Sequence, residues 1–127
     1  MMHSLNVRKF AGYAAIAAIV NSIIYLIAKS ADASMIVNQG ASQEIALPMV
    51  LASTLFGLVV AAFIASRIGK KSQGFLPKSP LIGLVFGVVT AAAPFGASDD
   101  SKTAFALASM HVVAGVTWYL GAKRSTK

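Results

Sequence analysis

The chain has 127 residues, a hydrophobic content of 57%, a charged content of 12% and a formal net charge of +7. Soluble domains average roughly 45–50% apolar and about 25% charged residues, so this composition excludes an ordinary soluble globule and points to a membrane. There is no Cys, which excludes disulfides, thiol redox chemistry and cysteine-based metal sites.

Four apolar stretches, residues 10–28, 46–66, 80–95 and 103–121, contain no Asp, Glu, Lys or Arg. Runs of roughly 17–25 apolar residues match the hydrocarbon thickness of a bilayer. The predicted fold is therefore all-α: one domain, residues 1–127, forming a membrane-embedded four-helix bundle.

The first stretch follows Arg8 and Lys9 and precedes Ala31-Asp32-Ala33, a small-residue run that resembles a signal-peptidase site. A signal h-region is only roughly 7–15 residues long, so residues 10–28 read as a retained span. The connection from Lys29 to Ile45 is the longest; Met35, Ile36 and Val37 amid polar residues suggest a short turn lying on the surface. Pro48 falls in the first turn of the second span, where proline is tolerated.

The next connection, residues 67–79, is basic and carries the loop signals Gly69, Gly74 and Pro77. Ser79-Pro80 reads as an N-cap followed by proline at the first helical position. Pro94, followed by Gly96, is expected to end the third span. That span is about 16 residues, or about 24 Å, short against a core of about 30 Å. Asp99, Asp100 and Ser101 offer caps for the fourth span. Phe10, Tyr13, Trp118 and Tyr119 are expected at the membrane–water interface.

Charge orients these spans. Arg8, Lys9, Arg67, Lys70, Lys71, Lys78, Lys123, Arg124 and Lys127 account for nine of the 11 basic residues and lie at one end. All four acids, Asp32, Glu44, Asp99 and Asp100, lie at the other with Lys29 and Lys102. Lys/Arg-rich short loops stay cytoplasmic, so both termini are predicted in the cytoplasm. The same residues explain the basic balance without nucleic acid, and membrane lipid is the expected partner.

At about 100° per residue each span divides into two faces. Small residues gather as Ala14, Ala17, Ala18, Asn21, Tyr25 and Ala28 in the first, and as Ser53, Thr54, Gly57, Ala61 and Ala65 in the second. Gly83, Gly87, Thr90, Ala91 and Pro94 do so in the third, and Ala104, Ala108, His111, Gly115 and Trp118 in the fourth. Branched aliphatics occupy the opposite faces. In lipid, small residues permit close backbone approach, so these faces are predicted to pack.

Five polar residues lie on those faces at similar depth from the acidic end. Asn21 is about 10 Å down, Ser53 and Thr54 about 10–12 Å, Thr90 about 8 Å and His111 about 12 Å. They define either a ligand-binding pocket or a layer of interhelical hydrogen bonds. Asp99 and Asp100 are candidate partners of His111 if their connection folds inward. No catalytic set, metal cluster or cofactor motif is present; a haem would need a second ligand for His111.

Leu47-Pro48, Leu51-Ala52-Ser53, Phe56-Gly57 and Arg67, then Ala93-Pro94-Phe95 and the run Ala106-Leu107-Ala108-Ser109-Met110-His111-Val112-Val113-Ala114, resemble a bacterial family of small four-helix integral membrane proteins known only as a domain of unknown function. The resemblance spans roughly residues 45–122 and is most specific at Met110-His111. It implies a multi-pass protein of the bacterial inner membrane and carries no activity with it. Small multidrug transporters have a membrane-embedded glutamate that this chain lacks. Fluoride channels insert in both orientations, against the charge bias here.

Three functions remain. The first expectation is a non-enzymatic bundle that self-assembles or joins other membrane proteins, supported by the short third span. The second is small-molecule or ion binding or transport through the layer around His111. The third and weakest is a lipid- or quinone-modifying enzyme.

Overall fold

The computed structural model describes residues 4–126. Asn6 opens the first helix, α1 (Val7–Ser30), its side chain accepting the Lys9 N–H at 3.1 Å. α1 stops at Ala31, and Asp32 then turns the chain in the left-handed region at φ 68°. The connection folds into an antiparallel hairpin of β1 (Ile36–Asn38) and β2 (Ser42–Glu44), a more ordered element than the expected surface turn. Gly40, at φ 87°, supplies its reversal, a conformation open to glycine at no steric cost.

The second helix, α2 (Leu47–Lys71), has Pro48 in its first turn. The third crossing is α3 (Ser79–Thr90) followed after a two-residue turn by α4 (Ala93–Ala97). Pro94 has no N–H to offer the carbonyl one turn back, which breaks the helix at Ala91-Ala92. It does not end the crossing as expected, because the chain resumes helical structure for one more turn. The whole of Ser79–Ala97 measures 19 residues, about 28 Å. The third crossing is therefore close to the bilayer core of about 30 Å and needs no partner to shelter a short helix. α5 (Ser101–Ser125) begins at Asp100, whose side chain accepts the Lys102 N–H, as expected of an N-cap.

Val7–Ser30, Leu47–Lys71, Ser79–Ala97 and Ser101–Ser125 are each long and apolar enough to cross a membrane. Their outer faces fit that role. Ile16, Ile19, Ile23, Leu26, Ile27, Val85, Val88, Val89, Phe105 and Leu120 are all exposed, a surface that water would not tolerate in one patch. On α1, Ala14, Ala17, Ala18, Asn21 and Tyr25 are buried, as the periodicity predicts.

The helices pack in the order α2–α1–α5–α3. α1 lies against both α2 and α5, and α3 against α5, while α2 and α3 form no extensive interface. α3 and α5 approach closely: a Cβ on Gly87 would lie 2.7 Å from Gly115 Cα. On α2 the packed ridge is Val50, Leu58, Ala62, Ala65 and Gly69. The predicted inward face is rotated from this: Ser53, Gly57 and Ala61 are exposed along an open groove. α2 has one helical neighbour of substance, and its ridge therefore turns toward α1.

Two apolar clusters fill the interior. At the end carrying the termini, Phe10, Ala14, Ala17, Leu58, Ala62, Leu76, Trp118 and Ala122 pack together. Tyr25, Ala33, Met35, Val50, Ala106 and Met110 form the other, under the hairpin. Phe10 and Trp118 are thus core residues and not the interfacial anchors expected of them; their rings meet edge-on at 5.1 Å. The Trp118 indole donates to the Ser79 carbonyl at 2.7 Å. Ser79 does not cap α3. It is buried, with its hydroxyl donated to the Leu76 carbonyl, and Lys78 stands at the cap position.

Candidate functional site

The gap between α2 and α3 is a cleft of about 600 Å³, within the range of roughly 300–1,000 Å³ typical of small-molecule sites. Its floor is built by α1 and α5. Asn21 from α1, Ser53 and Thr54 from α2, Thr90 from α3 and His111 from α5 all line it. Each helix contributes a polar group to one layer because all four cross the same slab and carry it at matching depth. Above and below, the walls are apolar, with Val50, Met110, Leu107, Leu58, Phe86 and Trp118 among them.

The polar layer separates the two apolar clusters, and its bonding is specific. Asn21 Nδ2 donates to Thr54 Oγ1 at 3.1 Å, tying α1 to α2. Asn21 is 2% exposed, yet its Oδ1 has no partner. The other three side chains bond within their own helices. Thr90 Oγ1 donates to the Phe86 carbonyl at 2.7 Å, Ser53 Oγ to Val50 at 3.5 Å, and His111 Nδ1 meets the Leu107 carbonyl at 2.8 Å. A carbonyl oxygen only accepts, so Nδ1 carries the proton in that pair and Nε2 of the neutral ring is an acceptor. Only one of the five residues' contacts, Asn21 to Thr54, is an interhelical hydrogen bond within the layer.

The hairpin roofs the cleft. Val37, Gln39, Gln43 and Ile45 line its upper part. These residues are not legible as site residues from helical periodicity, since nothing in a 3.6-residue pattern reports where a loop folds back. The polar, non-charged Gln39 and Gln43 flanking Gly40 were the available signal. Gly57 also lines the cleft; a Cβ there would meet nothing within 4 Å, whereas Gly83 leaves room for the Trp118 ring.

The hairpin is held by the corner between α4 and α5. Asp100 Oδ2 accepts the Ser34 N–H and the Thr103 hydroxyl, both at 2.7 Å. The Met35 N–H donates to Thr103 Oγ1 at 2.8 Å, and Ser98 Oγ donates to the Ile36 carbonyl at 2.9 Å. Lys102 Nζ reaches the Ala31 carbonyl, and Lys29 pairs with Glu44 at 3.5 Å. Met35 sits fully buried at φ 56°, a backbone conformation that costs on the order of 1–3 kcal/mol and persists only where neighbours over-determine it. The Ser34 N–H, then the Thr103 hydroxyl, lower the Asp100 pKa from 3.8 to about 2.

Asp100 is therefore engaged with the hairpin and is no partner for His111. No Asp, Glu, Lys or Arg among the described residues lines the cleft. Among the described residues, no three His, Cys, Asp or Glu side chains come together as a metal site.

A family model, described as a family of unknown function, matches the chain over residues 4–127. No curated protein and no solved structure matches it.

Proposed function

The chain belongs to that family, DUF6069, and we propose that this four-span membrane protein binds a small molecule in the cleft between α2 and α3. The observation that carries the proposal is the convergence of Asn21, Ser53, Thr54, Thr90 and His111, from four different crossings, on one cleft of about 600 Å³. A layer built only to tie helices together would pair these groups across helices, as Asn21 and Thr54 are paired. Thr90, Ser53 and His111 instead turn a hydrogen toward their own helix and keep a lone pair for something else.

The role is binding or transport and not catalysis. Among the described residues, no carboxylate lines the cleft to orient His111 as a general base. The protein sits in a bacterial cytoplasmic membrane with both termini inside; the segregation of nine basic residues from four acids supports that orientation.

Trp118, the single tryptophan, lines the cleft and reports its occupancy. In phosphatidylcholine nanodiscs, ω-bromo-octanol is expected to quench its fluorescence saturably. Gly57→Leu, which fills open space, is expected to abolish the saturable phase while leaving the protein folded. Quenching that rises linearly and equally in both proteins would reflect collisions from lipid and sink the binding role.

A second reading, self-association, is favoured by the uncovered Ser53, Gly57 and Ala61 on α2. A second copy seated there would cover the cleft. Light scattering in two detergents distinguishes it: a dimer that Gly57→Leu splits, without saturable quenching in the wild type, selects assembly over ligand binding.

A further inference from the structure

The bonding within the polar layer specifies the chemistry of the occupant, an inference that rests on the binding role proposed above. Thr90 directs its hydroxyl hydrogen at the Phe86 carbonyl, so its oxygen faces outward only as an acceptor. His111 gives Nδ1–H to Leu107, which leaves Nε2 as an acceptor in the neutral ring. Asn21 is 2% exposed and holds an Oδ1 with no partner. The Thr54 oxygen accepts from Asn21 and keeps its hydrogen. The layer thus holds several acceptors against two uncommitted hydrogens, that of the Thr54 hydroxyl and the second on Asn21 Nδ2. A buried acceptor without a donor is costly, more so than a bond is gainful when made.

Charge adds a second constraint. No Asp, Glu, Lys or Arg among the described residues lines the cleft, and a charged group buried without a partner in a membrane is strongly disfavoured. Ions and carboxylates are disfavoured with it. The third constraint is access. α2 and α3 are not packed against each other, and Phe86, which lines the cleft, is 69% exposed on the face that meets lipid. The site is open toward hydrocarbon.

We propose that the occupant is an uncharged, lipid-soluble alcohol or phenol that enters between α2 and α3 and donates its hydroxyl hydrogen to His111 Nε2. A hydroxyl answers both sides of the layer: it donates to an acceptor and receives the Thr54 hydrogen. An ether, ester or ketone of the same shape only accepts, and leaves His111 unanswered. The apolar body then runs toward Trp118, seven residues or about 10 Å further along α5.

The test uses the full chain in phosphatidylcholine nanodiscs and Trp118 quenching by three probes: ω-bromo-octanol, its methyl ether and ω-bromo-octanoate. The alcohol is expected to bind at least tenfold more tightly than the ether and the carboxylate. His111→Ala is expected to bring the alcohol down to the level of the ether and to leave the ether unchanged. A merely structural histidine would weaken both probes alike, and that result overturns the inference. Alcohol and ether binding equally, both blocked by Gly57→Leu, would overturn the donor requirement while the binding role stands. Tighter binding of the carboxylate would overturn the uncharged class. No saturable quenching by any probe removes the binding role and this inference together.

Discussion

Asn21 of α1 and Thr54 of α2 are joined by a 3.1 Å hydrogen bond at the depth where the two apolar clusters part. Among the described residues it is the one hydrogen bond in the layer that links two crossings by their polar side chains. A double-mutant cycle with Asn21→Leu and Thr54→Val is expected to give a coupling of about 0.6 kcal/mol and no more than about 1.7, the range for hydrogen bonds inside membrane proteins. Reversible unfolding in mixed micelles measures it. Additive effects would show that the bond contributes nothing.

Gly87 sits where α3 and α5 approach closely, with room for no Cβ beside Gly115 Cα at 2.7 Å and the His111 carbonyl at 2.9 Å. Gly87→Ala is expected to destabilise by about 1–3 kcal/mol, as overpacking does. Gly57→Ala, where a Cβ meets open space, is expected to be neutral or to stabilise by up to about 1 kcal/mol, since alanine favours helix. Equal losses at the two positions would contradict the packing order α2–α1–α5–α3.

Trp118→Phe keeps an aromatic ring beside Phe10 and removes the N–H that satisfies the Ser79 carbonyl. That carbonyl keeps its helical partner, so losing the indole bond is expected to cost about 0.5–1.5 kcal/mol. Because the variant has no tryptophan, unfolding is followed by circular dichroism. A loss below about 0.5 kcal/mol would show that water or another donor replaces the indole.

The Asp100 pKa, lowered to about 2 from 3.8, gives the hairpin an acid limit. A carboxylate with a depressed folded-state pKa stabilises above its unfolded value and loses that contribution as the pH falls through the folded one. Hydrogen exchange at the Ser34 and Met35 amides, corrected for intrinsic rates, is expected to be constant from neutral pH to about 4 and to accelerate toward pH 2. Asp100→Asn is expected to show the accelerated rate already at neutral pH. Flat protection down to pH 2 in the wild type would dissociate the hairpin from this carboxylate.

The absence of cysteine makes orientation directly measurable. Single cysteines at Gly40 and at Gln73 are expected to react oppositely with a membrane-impermeant maleimide applied to intact cells. The hairpin position labels from outside, and the position in the basic connection labels only after lysis. Labelling of both from outside would refute a fixed topology.

The sequence carried the number of crossings and most of their buried faces, because lipid demands long uncharged runs and helical periodicity sorts small from branched side chains. Ala14, Ala17, Ala18 and Asn21 on α1 are buried by that logic, and Ile16, Ile19 and Ile23 are exposed. The convergence of the five polar residues was legible for a related reason: depth follows from counting residues at a fixed rise. Phe10 and Trp118 depart from the sequence expectation because an aromatic near a span end fits the interface by composition, and only the tertiary packing, with its 5.1 Å ring contact, buries both.

What tertiary structure alone decided is who stands next to whom. α2 turns its Val50–Gly69 ridge to α1, which leaves Ser53, Gly57 and Ala61 beside empty space. The hairpin folds over that space through Asp100 and Thr103, more than 60 residues away in the chain. A one-dimensional pattern reports which side of a helix is small and polar, because that depends on the residue's own neighbours along the chain. Whether such a side meets another helix or a cleft depends on the packing order of all four crossings, and that order emerges only when their interfaces compete for the same surfaces.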